Sequence, residues 1–203
     1  MRSRSAATML LGSGLKNVYS MEGGIRAWKG MVAHGLPEAG MAYFSPAANA
    51  EEVVGLAWAL EEGSGLFYQG LSKHFSSDAE AQKMFSWLVT AEKNHEKHLL
   101  ETYETLVGAR PDFEKLRVKF SDKLSGTVME GGILVEEALA WVKDKGVSEG
   151  LEVAIALEVN AYDLYVKMSR AIDDKQAREI FETLAEEEQV HLEKLSGLLD
   201  KRA

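Results

Sequence analysis

The chain has 203 residues, 46% of them hydrophobic, and a net charge of −9 from 32 acidic and 23 basic side chains. This length allows one ordinary domain with a small appendage, and the acidic balance argues against nucleic acid or an anionic membrane surface as partners. The lack of cysteine excludes disulfides, cysteine-ligated zinc and iron–sulfur centres within this chain. No apolar run approaches the roughly 18 residues of a membrane span, so we expect a cytoplasmic protein.

The first 36 residues predict a helix, a short strand and a second helix, separated by glycine-containing turns. A segment of this size cannot bury a core of its own. Residues 37–48 contain Pro37, Gly40 and Pro46 and predict a linker. The organised part of the chain is therefore expected to begin at residue 49.

Residues 49–200 predict four long helices. The first starts at Asn49, the second at a capping box over 77–80, the third at Ser148, and the fourth at residues 173–176, running to about Leu199. The second helix ends before Gly108. The connection over 109–147 is long and holds a short extra helix over 133–145, whereas the other two connections are short. The predicted fold is mainly α, an antiparallel four-helix bundle with a long crossover between helices 2 and 3.

One stretch of the second helix recurs in the fourth. Glu92 and His95 correspond to Glu188 and His191, each 96 residues further on. Residues three apart share one face of a helix. The apolar positions around them repeat in the same register and turn this face toward a core: Phe85 and Phe181, Leu88 and Leu184, Leu99 and Leu195.

The first and third helices repeat as well. Glu61 and Tyr68 correspond to Glu158 and Tyr165, each 97 residues further on. We choose Glu61 over the adjacent Glu62 because Glu61 shares its face with Tyr68. Four carboxylates and two imidazoles are thereby predicted to converge in one core.

Inward-facing charge is costly unless it is paired or bound to metal, so this pattern predicts a dinuclear site. It matches the known arrangement of ferritin-like di-iron or di-manganese bundles. Two divalent ions would balance the four carboxylates; iron is the first choice and manganese the second, with no haem. The alternative is a duplicated bundle whose polar core has lost its metal. The two tyrosines are either hydrogen-bond partners of the ligand carboxylates or ordinary core residues.

These motifs resemble the rubrerythrin branch of the ferritin-like superfamily over about residues 49–200. The resemblance implies six metal ligands that are also the catalytic residues: Glu61, Glu92, His95, Glu158, Glu188 and His191. Two features depart from the family. The cysteine-rich electron-relay domain of the classical members has no counterpart in this chain, and Ala161 stands where many members have an additional inward Glu.

The implied activity is reduction of hydrogen peroxide at a di-iron site, or oxidation of ferrous iron with O₂, using an external electron donor. The contrasting possibility is a non-catalytic bundle that binds metal or handles iron. The arrangement of the helices also allows their exchange between subunits, so we expect a homodimer.

The segment of residues 1–36 resembles the C-terminal third of a rhodanese domain, through residues 2–7 and 16–28. The sulfur-carrying cysteine of that family would precede Arg2. Since persulfide chemistry needs a thiolate, the resemblance implies no sulfurtransferase activity in this chain. A sulfur-handling protein would require a cysteine upstream of it.

Overall fold

The computed structural model describes residues 50–112 and 127–202. The predicted rhodanese-like segment over 1–36 and the predicted linker over 37–48 lie outside these ranges. Within the described ranges, no helix combines the length and the apolar character that a membrane crossing requires.

The first two long helices form a closely packed pair. Helix α1 spans Ala50–His74 and α2 spans Ala79–Val107. The N-cap of α2 is Asp78, whose carboxylate accepts a hydrogen bond from the Ala81 N–H at 2.9 Å, so the helix begins one residue later than the capping box predicts. Gly108, with a φ of 71°, ends α2 in the left-handed conformation that glycine adopts without strain.

The crossover contains a β-hairpin that the sequence analysis did not predict. Strand β1 (Val128–Met129) pairs antiparallel with β2 (Ile133–Leu134). Helix α3 follows over Val135–Val142. The extra helix predicted over 133–145 is therefore shorter, because its first two residues extend to form β2. Strand β1 and helix α3 both pack against α1.

The second pair of long helices repeats the arrangement of the first. Helix α4 spans Val147–Ala171 and α5 spans Lys175–Asp200, and the two pack along each other. Asp174 caps α5 by accepting from the Ala177 N–H at 2.8 Å. Since the connection between α4 and α5 is short, as is that between α1 and α2, the helices within each pair run antiparallel.

The inward faces of all four long helices, together with Val128, contribute to one hydrophobic core. Phe85, Leu88, Phe181 and Leu184 of the repeated stretch are fully buried. This result confirms the prediction of a mainly helical protein with paired helices. The apolar frame positions the polar residues described next, because every helical neighbour at i ± 3 or i ± 4 shares the buried face.

Candidate metal centre

All six predicted ligand residues point into the core and meet in one cluster. Each is at most 3% exposed: Glu61, Glu92, His95, Glu158, Glu188 and His191. One residue comes from α1, two from α2, one from α4 and two from α5. The choice of Glu61 over Glu62 agrees with the structure, since Glu61 is fully buried and Glu62 only partly. The geometry places these groups together; their role as ligands stays a prediction.

The ligand atoms fall into overlapping sets whose members lie within 4.8 Å of one another. One set joins Glu61, Glu92, His95 and Glu188, a second joins Glu92, Glu158 and His191, and a third joins His95, Glu188 and His191. Glu92 and Glu188 thus each share one set with His95 and another set with His191. This arrangement fits two neighbouring cations, one beside Glu61 and His95 and one beside Glu158 and His191, with two carboxylates between them.

The histidines present corresponding nitrogen atoms to the carboxylates. His95 Nδ1 lies 3.2 Å from Glu61 Oε2, and His191 Nδ1 lies 3.0 Å from Glu158 Oε2. The two imidazole rings stack with centroids 5.1 Å apart and an interplanar angle of 16°. In each half, one carboxylate oxygen and one imidazole nitrogen therefore face the same small volume.

Burial and the neighbouring charges shift the pKa values of the clustered carboxyls in opposite directions. Burial, followed by the neighbouring charge of Glu61, raises the pKa of Glu92 well above its ordinary value, and burial and Glu158 do the same for Glu188. Although burial opposes it, the charge of His95 lowers the pKa of Glu61 to about 2. Within each adjacent pair, the pKa of one carboxyl is therefore raised and that of the other is lowered. A cation bound beside Glu92 or Glu188 would favour the ionised form of that carboxyl.

Both predicted tyrosines hydrogen-bond to carboxylates, and they do so across the two halves. Tyr68 of α1 donates to Glu158 Oε1 on α4, whereas Tyr165 of α4 donates to Glu61 Oε1 on α1. Burial raises the pKa of both phenols, which keeps them protonated and able to donate. We call Glu61 and Glu158 the terminal carboxylates, because each lies beside only one of the two proposed cation positions. Each tyrosine holds Oε1 of one terminal carboxylate and leaves its Oε2 facing the histidine. Both tyrosines therefore hydrogen-bond to predicted ligand carboxylates, and the role of those carboxylates at a metal stays a prediction.

Sequence reasoning missed Glu187, which approaches the outer nitrogen of His95. Glu187 Oε2 lies 3.0 Å from His95 Nε2, and this contact lowers the pKa of Glu187. A carboxylate on the outer nitrogen of a ligating histidine fixes the orientation and tautomer of the ring. Glu187 is the middle residue of a run of three glutamates. The only sequence signal for its contact with the site was that it directly precedes the inward-facing Glu188.

Sequence reasoning also missed Glu130, in the hairpin turn of the crossover. Its side chain is 1% exposed, and Oε2 accepts a hydrogen bond from the Ser64 hydroxyl. Burial and the charge of Glu61 raise its pKa to about 8. The available signal was the pattern itself, since two short apolar pairs around Glu-Gly-Gly are typical of a tight hairpin.

The donor set fits a pair of divalent or trivalent ions of oxygen- and nitrogen-preferring metals. Carboxylate and imidazole groups converge from four helices, and burial raises the pKa of two of the carboxyls, Glu92 and Glu188. A structural zinc site would usually contain thiolates, and the chain has none.

Comparison with known families supports this assignment for the second pair of long helices. Residues 149–203 match the rubrerythrin family model. The matched range contains the half of the centre formed by Glu158, Tyr165, Glu188 and His191. No curated protein and no solved structure matches the chain. The resemblance of residues 1–36 to rhodanese stays a prediction.

Proposed function

We propose that this chain is a ferritin-like di-iron oxidoreductase of rubrerythrin type, with Glu61, Glu92, His95, Glu158, Glu188 and His191 as the ligands of two iron ions. Manganese is the second choice of metal. The reaction we favour is two-electron reduction of hydrogen peroxide to water, with electrons from an external donor. The rubrerythrin match over residues 149–203 supports the family, and the described geometry extends the same donor pattern to the first half.

The observation that carries the proposal is the convergence of four carboxylates and two imidazoles, nearly free of solvent exposure, from four different helices. A structural role is a poor explanation of this arrangement. Burying several carboxylates costs free energy, and hydrophobic residues of similar volume would stabilise a bundle at least as well. Two cations would compensate the carboxylate charges.

The protein itself orients and protects the reacting site. Tyr68 and Tyr165 fix the terminal carboxylates Glu158 and Glu61 through Oε1, so that Oε2 is available for a cation. Glu187 Oε2 lies 3.0 Å from the outer nitrogen of His95, where its charge would favour a proton on that nitrogen. The surrounding apolar side chains exclude bulk water, which strengthens every electrostatic interaction at the centre.

Bound ferrous iron would supply the electrons, one from each ion, and Lewis-acid stabilisation of the peroxide oxygens. Reduction of one peroxide to two waters consumes two electrons and two protons. These 203 residues contain no cysteine for an iron–sulfur relay, so the proposal takes the returning electrons from a donor outside them.

A single-turnover experiment tests the proposal. The protein is loaded anaerobically with ferrous iron, its iron content is measured, and hydrogen peroxide is titrated while oxidation is followed by absorbance. We expect two ions per chain and one peroxide consumed for every two ferrous ions, without release of O₂. The Glu188→Gln variant should lose iron and turnover, whereas its matched control Glu186→Gln should keep both, because Glu186 is exposed.

The remaining outcomes discriminate the alternatives. Full iron occupancy without peroxide consumption would overturn the peroxidase proposal and identify a metal-binding or iron-handling bundle. Rapid oxidation by O₂ combined with slow oxidation by peroxide would identify a ferrous oxidase. Failure to bind metal, with the fold intact, would refute the centre as a whole.

A further inference from the structure

Glu130 has one carboxylate oxygen with a partner and one without. Oε2 accepts a hydrogen bond from the Ser64 hydroxyl. Oε1 is buried and, within residues 50–112 and 127–202, accepts no hydrogen bond from another residue. No Lys or Arg in those ranges forms an ion pair with Glu130 either. A buried carboxylate oxygen left without a partner is costly, so its retention calls for a ligand.

The hairpin that carries Glu130 packs closely against α1 and α4, two of the four helices that carry proposed ligands. A Cβ at Gly63 of α1 would lie 2.3 Å from the carbonyl oxygen of Val128, closer than any real contact. A Cβ at Gly131, whose φ is 80°, would lie 2.3 Å from Asn160 Nδ2 on α4. The two points of contact are two residues beyond Glu61 and Glu158, respectively. The glycines therefore let the hairpin approach α1 and α4 beside their ligand carboxylates.

Glu130 faces the same cavity as the cluster. Glu92, Glu158 and Glu188 line this cavity together with Glu130 of the hairpin and Ser64 of α1. Ala161 also lines it, with a side chain that has no atom able to bind a metal ion. Glu130, which carries the unpartnered oxygen, thus lines the same space as three proposed ligands.

We propose that Glu130 is a seventh carboxylate of the centre and that its Oε1 binds one of the two metal ions. The inference rests on the proposed function, since it requires the six-residue centre. Ser64 holds the other oxygen and fixes the carboxylate plane. The crossover is then part of the metal site, and the docked hairpin is the element that completes it.

Substitution with cobalt(II) tests the proposal without reference to activity. The visible absorption of bound Co²⁺ depends on the number and type of its ligands. In Glu130→Gln the amide retains the shape of the side chain and an acceptor for Ser64 but is a poor ligand. We expect the unaltered protein to bind two Co²⁺ per chain. In Glu130→Gln we expect an altered visible spectrum and, for one of the ions, an affinity lowered by at least about tenfold. Tenfold is the smallest typical cost of losing a residue that only supports a ligand, so the loss of a ligand itself should cost at least as much.

The matched control is Glu137→Gln, which removes an exposed carboxylate from α3, seven residues along the same segment. It should reproduce the affinity and spectrum of the unaltered protein. If Glu130→Gln also reproduces them, Glu130 is no ligand, while the six-residue centre stands. If the unaltered protein binds no Co²⁺, the proposed centre itself fails.

A second variant moves the carboxylate instead of removing it. Gly63→Ala forces the hairpin away from α1, because its Cβ meets the backbone of β1 and not the end of a flexible side chain. All six other ligands remain. In folded Gly63→Ala protein we expect the spectral change seen in Glu130→Gln, and an unchanged spectrum would contradict the assignment.

Discussion

The crossed tyrosines offer a direct test of how the terminal carboxylates are held. Replacing Tyr165 with Phe removes the hydroxyl that donates to Glu61 Oε1. It keeps the buried ring and its stacking on Phe181, whose centroid lies 5.8 Å away. The change therefore isolates one hydrogen bond to a carboxylate. Hydrogen bonds to charged groups are worth about 1.5–3 kcal/mol.

That range sets the expected effect on metal binding. At 1.4 kcal/mol per factor of ten, complete loss of the hydrogen bond corresponds to a fall in affinity of roughly 10- to 150-fold. The loss should concern only one of two ions, the one beside Glu61 and His95. Tyr68→Phe should weaken the other ion, beside Glu158 and His191, because its hydroxyl donates across the bundle. The double variant should weaken both.

Titration with Mn²⁺ or Co²⁺, followed by calorimetry, measures these affinities. Each single variant should bind one ion as tightly as the unaltered protein and one more weakly. Tyr162→Phe is the matched control, since Tyr162 lies on the same helix and is only partly buried. If Tyr165→Phe and Tyr68→Phe bind both ions as Tyr162→Phe does, the tyrosines only fill space and the reasoning is refuted.

Two further predictions concern single ion pairs. Glu187→Ala should weaken binding of the ion beside His95 by about tenfold or less. Loss of a histidine's hydrogen-bond partner typically costs about 10- to 100-fold in metal affinity, and we expect the low end because Glu187 is 40% exposed. Equal binding in Glu187→Ala and in the control Glu186→Ala would show that the contact does not orient the ring. Arg202 lowers the pKa of Asp78 to about 2, and its side chain lies 2.7 Å from that carboxylate. A depressed pKa contributes stability above the ordinary value of the group and loses it as the pH falls toward 2. Asp78→Asn, which keeps an acceptor for the cap of α2, should therefore melt below the unaltered protein at neutral pH and approach it near pH 2; a difference that does not change with pH would refute the assignment.

The helical parts of the site were predictable because a helix imposes a fixed geometry on sequence spacing. Glu92 and His95 had to share a face, and the repeated apolar positions showed that the face was buried. The same argument separated Glu61 from Glu62. No spacing rule, however, tells which residue of another helix a side chain will meet. The sequence therefore indicated that Tyr68 and Tyr165 face inward but not that each one bonds to the opposite half.

The parts of the site that come from outside the repeats were not predictable in the same way. Glu130 lies in a turn, where neither a period of 3.6 nor one of 2 applies, and its burial depends on the docking of the hairpin against Gly63. Each of those two residues is unremarkable alone. Glu187 is partly exposed and adjacent to a residue of the buried face, so periodicity placed it outside the site. Both contacts arise from tertiary packing.

These two unpredicted residues make the halves of the centre unequal. The position in α2 that corresponds to Glu187 is Ala91, which has no carboxylate to offer His191. The ring of His191 instead meets Trp87 edge-on, with centroids 5.2 Å apart. The hairpin sequence, likewise, does not recur in the other half, and because Ser64 occupies one oxygen of Glu130, the proposal gives the remaining oxygen to one ion only. A nearly duplicated ligand set therefore provides two different environments. We expect the two ions to bind with different affinities, because Glu187 and Glu130 have no counterparts in the other half of the centre.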